Sequence, residues 1–167
     1  MKSKVRKLTE GAMIAAVYAV LTLVFWQFSS MQIQVRISEA LCVLPMFSFS
    51  AVPGLTIGCF LINMIMGNVW DAIFGTLATL LASAATYRIG KKTGYRWLAP
   101  LPSILFNALI IPFVLYFGYG FISFGDTTGM LTVLGLNALS IAIGQTIACY
   151  GLGMPLYFMI KRTKIFG

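Results

Sequence analysis

Histidine is absent, and acidic side chains are scarce: four Asp and Glu stand against twelve Lys and Arg in 167 residues. Without histidine, zinc and haem sites lose their commonest ligand and most catalytic triads lose their base. The three cysteines, Cys42, Cys59 and Cys149, are odd in number, widely spaced and form no CxxC pair. That excludes a secreted disulfide scaffold, and each cysteine reads as a small apolar residue within an apolar run. There is no Walker motif, so the chain does not hydrolyse ATP by the P-loop route. No low-complexity segment and no short-period repeat is visible, and the two halves do not match as an inverted-repeat carrier would require. Charge of either sign is sparse as well. Only 10% of residues are charged, against about 25% in soluble domains.

Apolar residues take that place. They make up 59% of the chain, and the mean hydropathy is +0.91. A chain this short has too little interior to hide so much apolar surface from water. It reads as a single-domain, all-α integral membrane protein spanning residues 1–167.

Six apolar segments are candidates for crossings: approximately 8–28, 37–50, 55–66, 72–89, 97–116 and 131–160. The first is too long for a signal peptide and shows no cleavage site, so it is expected to be a retained helix. Pro53-Gly54 is expected to break the second segment from the third. A single helix kinked at Pro53 would be far too long.

The basic residues check this count. Lys2, Lys4, Arg6 and Lys7 precede the first segment. Arg88, Lys91, Lys92 and Arg96 lie between the fourth and fifth. Lys161, Arg162 and Lys164 follow the sixth. Six crossings with both termini cytoplasmic place all three clusters inside, as the positive-inside rule requires, whereas five or seven would scatter them. The net charge of +8 is thus a topological signal, and no nucleic-acid partner is expected. Arg36, Glu39, Asp71 and Asp126 fall near the outer face, leaving Glu10 as the inner acidic residue.

Three constellations invite a functional reading. On the first helix Ala12, Ala15, Ala16 and Ala19 share one face, since their spacing is i, i+3, i+4 and i+7. Small residues let helices approach closely in lipid, within one chain or against a partner. In the first outer loop Met31, Ile33, Val35 and Ile37 alternate as an extended segment would. Arg36 and Glu39 close it at i, i+3, where they can pair, while Ser38 can cap the helix or orient Glu39. A charge beside the bilayer is costly unless satisfied, which favours a ligand role for Glu39 over a structural ion pair. The third constellation is polar: Asn63, Asn68, Trp70 and Asp71 around the second outer loop, with Asn107, Asn137 and Gln145 inside the last two helices. Trp70 can stack on a flat ligand, or simply anchor at the interface. Asp71 can accept ligand N–H groups, or sit at a helix N-terminus for its dipole. The amides must find partners on other helices or on a ligand. Arg36, Glu39, Asn63, Trp70, Asp71, Asn107, Asn137 and Gln145 are the candidate binding set. They would line a cleft suited to a planar heterocycle with several N–H donors. No metal site, cofactor or enzymatic activity is expected.

The stretches GAMIAAVYAVLTL, VRISEALCVLP, VPGLTIGCFLIN, NVWDAIFGTLATLLA, LAPLPSILFNALI and GQTIACYGLGMPLY together resemble the queuosine-precursor transporter (QueT) family. The resemblance runs from Gly11 to Tyr157. These are substrate-binding S components of energy-coupling factor (ECF) transporters in the cell membrane. The resemblance implies a six-helix S-component bundle with an outward site roofed by loops. It implies that Ala12, Ala15, Ala16 and Ala19 dock on a transmembrane T component, with two ATPases as the engine. The implied substrate is a 7-deazaguanine base, a queuosine precursor or queuine. Its adjacent N–H donors suit a carboxylate such as Glu39 or Asp71. Position 145 is often acidic in the family pattern, whereas this chain has Gln145, which keeps an acceptor and loses the charge. The alternatives are an S component for another planar vitamin-like molecule, or a small membrane protein acting as a solitary carrier or assembly factor.

Overall fold

The computed structural model describes residues 4–29, 35–66, 69–91, 96–118 and 127–163. All regular elements among them are helical. The chain begins with α1 (Lys4–Val24) and a single turn, α2 (Trp26–Ser29). A 3-10 helix follows over Ile37–Met46, then α3 (Ala51–Met66). A π-helical turn at Asp71–Gly75 leads into α4 (Thr76–Gly90). A 3-10 turn at Arg96–Leu98 precedes α5 (Leu101–Gly118). Finally α6 (Thr127–Thr146) passes through a π-helical stretch, Ile147–Gly153, into α7 (Met154–Thr163).

Four helical stretches are long and apolar enough to cross a membrane: Lys4–Val24, Asp71–Gly90, Arg96–Phe117 and Gly129–Thr163. Ile37–Met46 and Ala51–Met66 are shorter. Sixteen α-helical residues reach about 24 Å and ten 3-10 residues about 20 Å, against a hydrocarbon core of about 30 Å.

The second segment differs from expectation. In place of an α-helix over 37–50 it is a ten-residue 3-10 helix. Pro45 has no N–H, and in an α-helix its ring would clash with the Leu41 carbonyl. Beyond Ser38 and Glu39 this helix is apolar, and Ser38 to Pro45 are buried without interruption. It packs against α1, α4, α7 and the π stretch 147–153. A helix apolar on nearly all sides belongs inside a bundle. The break is also displaced. The chain turns at Phe47–Ser50, and Pro53 lies in the first turn of α3, where a missing N–H costs nothing. The last helix begins at Thr127, four residues before the expected start.

Around this central helix, α1 packs on α3, α3 on α4, α4 on α5, and α5 on α6. The α1–α3 contact is glycine-mediated. A Cβ added at Gly54 would stand 2.7 Å from the Gly11 carbonyl oxygen, and one at Gly58 would stand 2.8 Å from that of Ala15. This is the small-xxx-small geometry by which lipid-embedded helices approach. The core joins Ile14, Tyr18, Leu41, Leu44, Leu55, Cys59, Ile62 and Ile160. Large apolar side chains from every long helix face outward, among them Leu8, Ile65, Leu109, Leu131 and Met159. That surface suits a hydrocarbon solvent, as a multi-pass membrane protein requires.

Candidate functional site

Several buried polar groups collect at the start of the central 3-10 helix. Glu39 is 4% exposed. The Tyr18 hydroxyl on α1 donates to its Oε1 at 2.7 Å. One turn along α1, the Thr22 hydroxyl donates to the Tyr18 carbonyl at 2.9 Å and is hydrogen-bonded to the Ser38 hydroxyl at 2.8 Å. Ser38 thus ties the two helices together. The residue at the N-cap position is Arg36, whose side chain makes no cap bond.

Arg36 reaches across to α3. Its guanidinium donates to Asn63 Oδ1, and its centre lies 5.9 Å from the Tyr18 ring centroid. Arg36 and Glu39 are therefore linked through Tyr18, which faces the cation with its ring and the carboxylate with its hydroxyl. Asn63 Nδ2 donates to the Asp71 carbonyl at 3.1 Å and to Cys59 Sγ at 3.4 Å. Both amide hydrogens of Asn63 are spent inside the protein. Asn63 straps α3 to the π turn and aims Arg36. A Cβ at Gly75 would stand 3.0 Å from Asn63 Nδ2, so a side chain there would crowd this strap.

On the opposite side, Cys149 Sγ lies 3.4 Å from the Glu39 carbonyl oxygen and 3.4 Å from Gln145 Oε1. One thiol proton serves these two acceptors. Gln145, 5% exposed, is brought in this way to the backbone of Glu39. The π stretch and the 3-10 helix also come close at Gly153, where an added Cβ would stand 3.0 Å from the Ala40 carbonyl.

Arg36, Glu39, Asn63, Asp71 and Gln145 thus form one connected neighbourhood. The remaining candidates stand apart from it. Trp70 is 53% exposed and stacks on Phe74, with centroids 6.0 Å apart and planes 12° apart. Asn137 is half-buried on α6. Asn107 on α5 is 5% exposed, and among the described residues its Nδ2 has no hydrogen-bond partner. Asn107 lies one turn before Ile111, whose Cδ1 is 3.8 Å from a Cβ built at Gly75. In the alanine set, Ala12 and Ala16 are exposed and Ala19 is half-buried, whereas Ala15 is buried against Gly58. Asn68, Asp126, Met31 and Ile33 lie outside the described residues, and of the expected extended segment Val35 is non-helical while Ile37 opens the 3-10 helix.

Sequence reasoning missed Tyr18, Thr22 and Cys149. Tyr18 and Thr22 follow Ile14 at i+4 and i+8, a polar stripe on an otherwise apolar helix, and that signal was readable. So was the small-xxx-small pair Gly54–Gly58. Cys149 gave no signal beyond its apolar surroundings.

Chemically the neighbourhood offers a buried carboxylate, a fixed guanidinium and buried amide acceptors, and apart from it α5 carries an unspent amide donor, Asn107 Nδ2. It holds acceptors and donors for recognition. A family model for QueT transporters matches residues 8–162. The chain belongs to the QueT transporter family. QueT proteins are S components for queuosine precursors, so this chain is a membrane transport protein. No curated protein and no solved structure matches it.

Proposed function

We propose that this QueT protein is the ligand-binding subunit of an ATP-driven ECF importer of the cell membrane, and that it binds a 7-deazaguanine base from the outer face. The observation that carries this reading is Glu39: a carboxylate buried at the hub of a polar cluster in a transporter with few other charges. A deazaguanine edge presents adjacent N–H donors, which a carboxylate accepts as a charge-assisted pair. Asn107 Nδ2 is the donor that would meet the base carbonyl. Arg36 is positioned by Asn63 and Tyr18 to neutralise Glu39 when the ligand is absent. Gln145, Asp71, Asn137 and Trp70 complete the proposed set, with Trp70 acting from the rim.

The two short segments complete six crossings in this reading, and both termini are cytoplasmic. The chain carries no ATPase of its own, so a T component and two ATPase subunits supply the energy. Ala12 and Ala16, exposed on α1, are the docking contacts, with Ala19 beside them. Ala15 serves α1–α3 packing.

The test is equilibrium binding to the purified chain in nanodiscs, followed by tryptophan fluorescence. Queuine, the aminomethyl and cyano precursor bases, guanine, riboflavin and thiamine form the panel. Saturable submicromolar binding of a deazaguanine, with guanine weaker, is the expected result. Binding of a vitamin with silence toward all deazaguanines would keep the S component and overturn the substrate. Ligand movement by the reconstituted chain alone, without ATPases, would overturn the importer.

A further inference from the structure

The cations around the Arg96–Leu98 turn and the ends of α4 and α7 are not used by the ligand site. Thr86 near the end of α4 donates to the Ala99 carbonyl at 2.9 Å. The Tyr150 hydroxyl donates to the Trp97 carbonyl at 2.7 Å. The Trp97 and Phe158 rings meet edge to face, 6.1 Å between centroids. These contacts draw the Arg96–Leu98 turn against both α4 and α7. Lys161 and Arg162 follow Phe158 by three and four residues, so they lie one turn beyond it on the same side of α7. Arg88, Arg96, Lys161 and Arg162 are all exposed. Acidic residues are missing from these segments: none lies between Asp71 and Asp126, and none follows Asp126.

We infer that this corner binds the headgroup of an anionic phospholipid. Arginine pairs a phosphate through two parallel N–H bonds, and the Trp97–Phe158 contact brings the turn that carries Arg96 beside the helix that carries Lys161 and Arg162. The apolar rim argues for a lipid over a soluble anion. Trp97 is 63% exposed and Met159 65%, and Leu98, Leu101 and Phe158 are exposed beside them. The charge is thus continuous with the lipid-facing belt. An indole beside basic groups is the usual furniture of the headgroup layer. The acyl chains lie along Leu98 and Leu101.

The experiment measures phospholipid retained by the full-length protein after extraction from bilayers of equal phosphatidylglycerol and phosphatidylcholine. The wild type is expected to retain phosphatidylglycerol over phosphatidylcholine by about tenfold. The triple variant Arg96→Gln, Lys161→Gln, Arg162→Gln is expected to fall to near parity. A charge-matched control, Lys4→Gln, Arg6→Gln, Lys7→Gln, is expected to keep the preference. These side chains are exposed, and monodispersity and helical content report that each variant is folded. Equal loss in both variants would mean diffuse attraction and would overturn the site, as would equal retention of both lipids by the wild type. A triple variant that impairs only transport, with lipid retention unchanged, would assign the corner to a protein partner and overturn it too.

Discussion

Glu39 bears a charge that the interior must compensate, and its neighbours show how. Tyr18 donates to one carboxylate oxygen, while Arg36 faces the same ring and is held by Asn63. Glu39→Gln keeps an acceptor for Tyr18 and removes the charge. It is expected to weaken ligand binding by at least tenfold, about 1.4 kcal/mol. Calorimetric titration of folded variant protein checks this, and unchanged affinity would leave Glu39 as a structural anchor. Asn107 gives a prediction of opposite sign. Its Nδ2 is buried without a partner among the described residues, so Asn107→Leu is expected to raise the melting temperature of the ligand-free protein, because an unsatisfied donor is removed. The same change is expected to lower affinity, since the ligand loses that donor. A variant less stable and equally tight would show that Asn107 has an internal role.

The helices owe their spacing to single glycines, and the effects are separable. Gly58→Leu forces a side chain against the Ala15 backbone, where nothing flexible can yield. We expect it to part α1 from α3, which also breaks the Tyr18–Glu39 bond, with a loss of roughly 3 kcal/mol or more. Thermal unfolding in detergent measures it. A Cβ added at Gly135 on α6 would meet nothing within 4 Å. Gly135→Ala is therefore expected to be neutral or to stabilise by up to about 1 kcal/mol, by helix propensity. Equal losses at both sites would refute the close α1–α3 contact.

For the molecule as a whole, substitutions on the exposed and buried sides of α1 separate docking from folding. Ala16→Trp is expected to abolish uptake by the assembled transporter while leaving ligand binding to the isolated chain intact. Ala15→Trp is expected to fail earlier, at folding, since Ala15 is enclosed by α3. Uptake that survives Ala16→Trp would remove the docking role from this face.

Composition and charge placement by themselves settled the class, an all-helical membrane protein, because apolar content and basic flanks respond to the solvent and not to the details of packing. Four long apolar stretches were legible for the same reason. Glu39 stood out for a related reason, since rare charges in an apolar chain are conspicuous in any fold. Family membership was readable too, from blocks that run through nearly the whole chain. The central 3-10 helix was not legible. A largely apolar run looks alike whether it faces lipid or protein, and its enclosure by α1, α4, α7 and the π stretch decided that it is the central element. The partners of Glu39 were decided at that same level. Tyr18 and Cys149 are 21 and 110 residues away in the chain, and no local pattern connects them. Ala15 and Ala16 are adjacent in the sequence, and one became core and the other surface when Gly58 came to rest against α1.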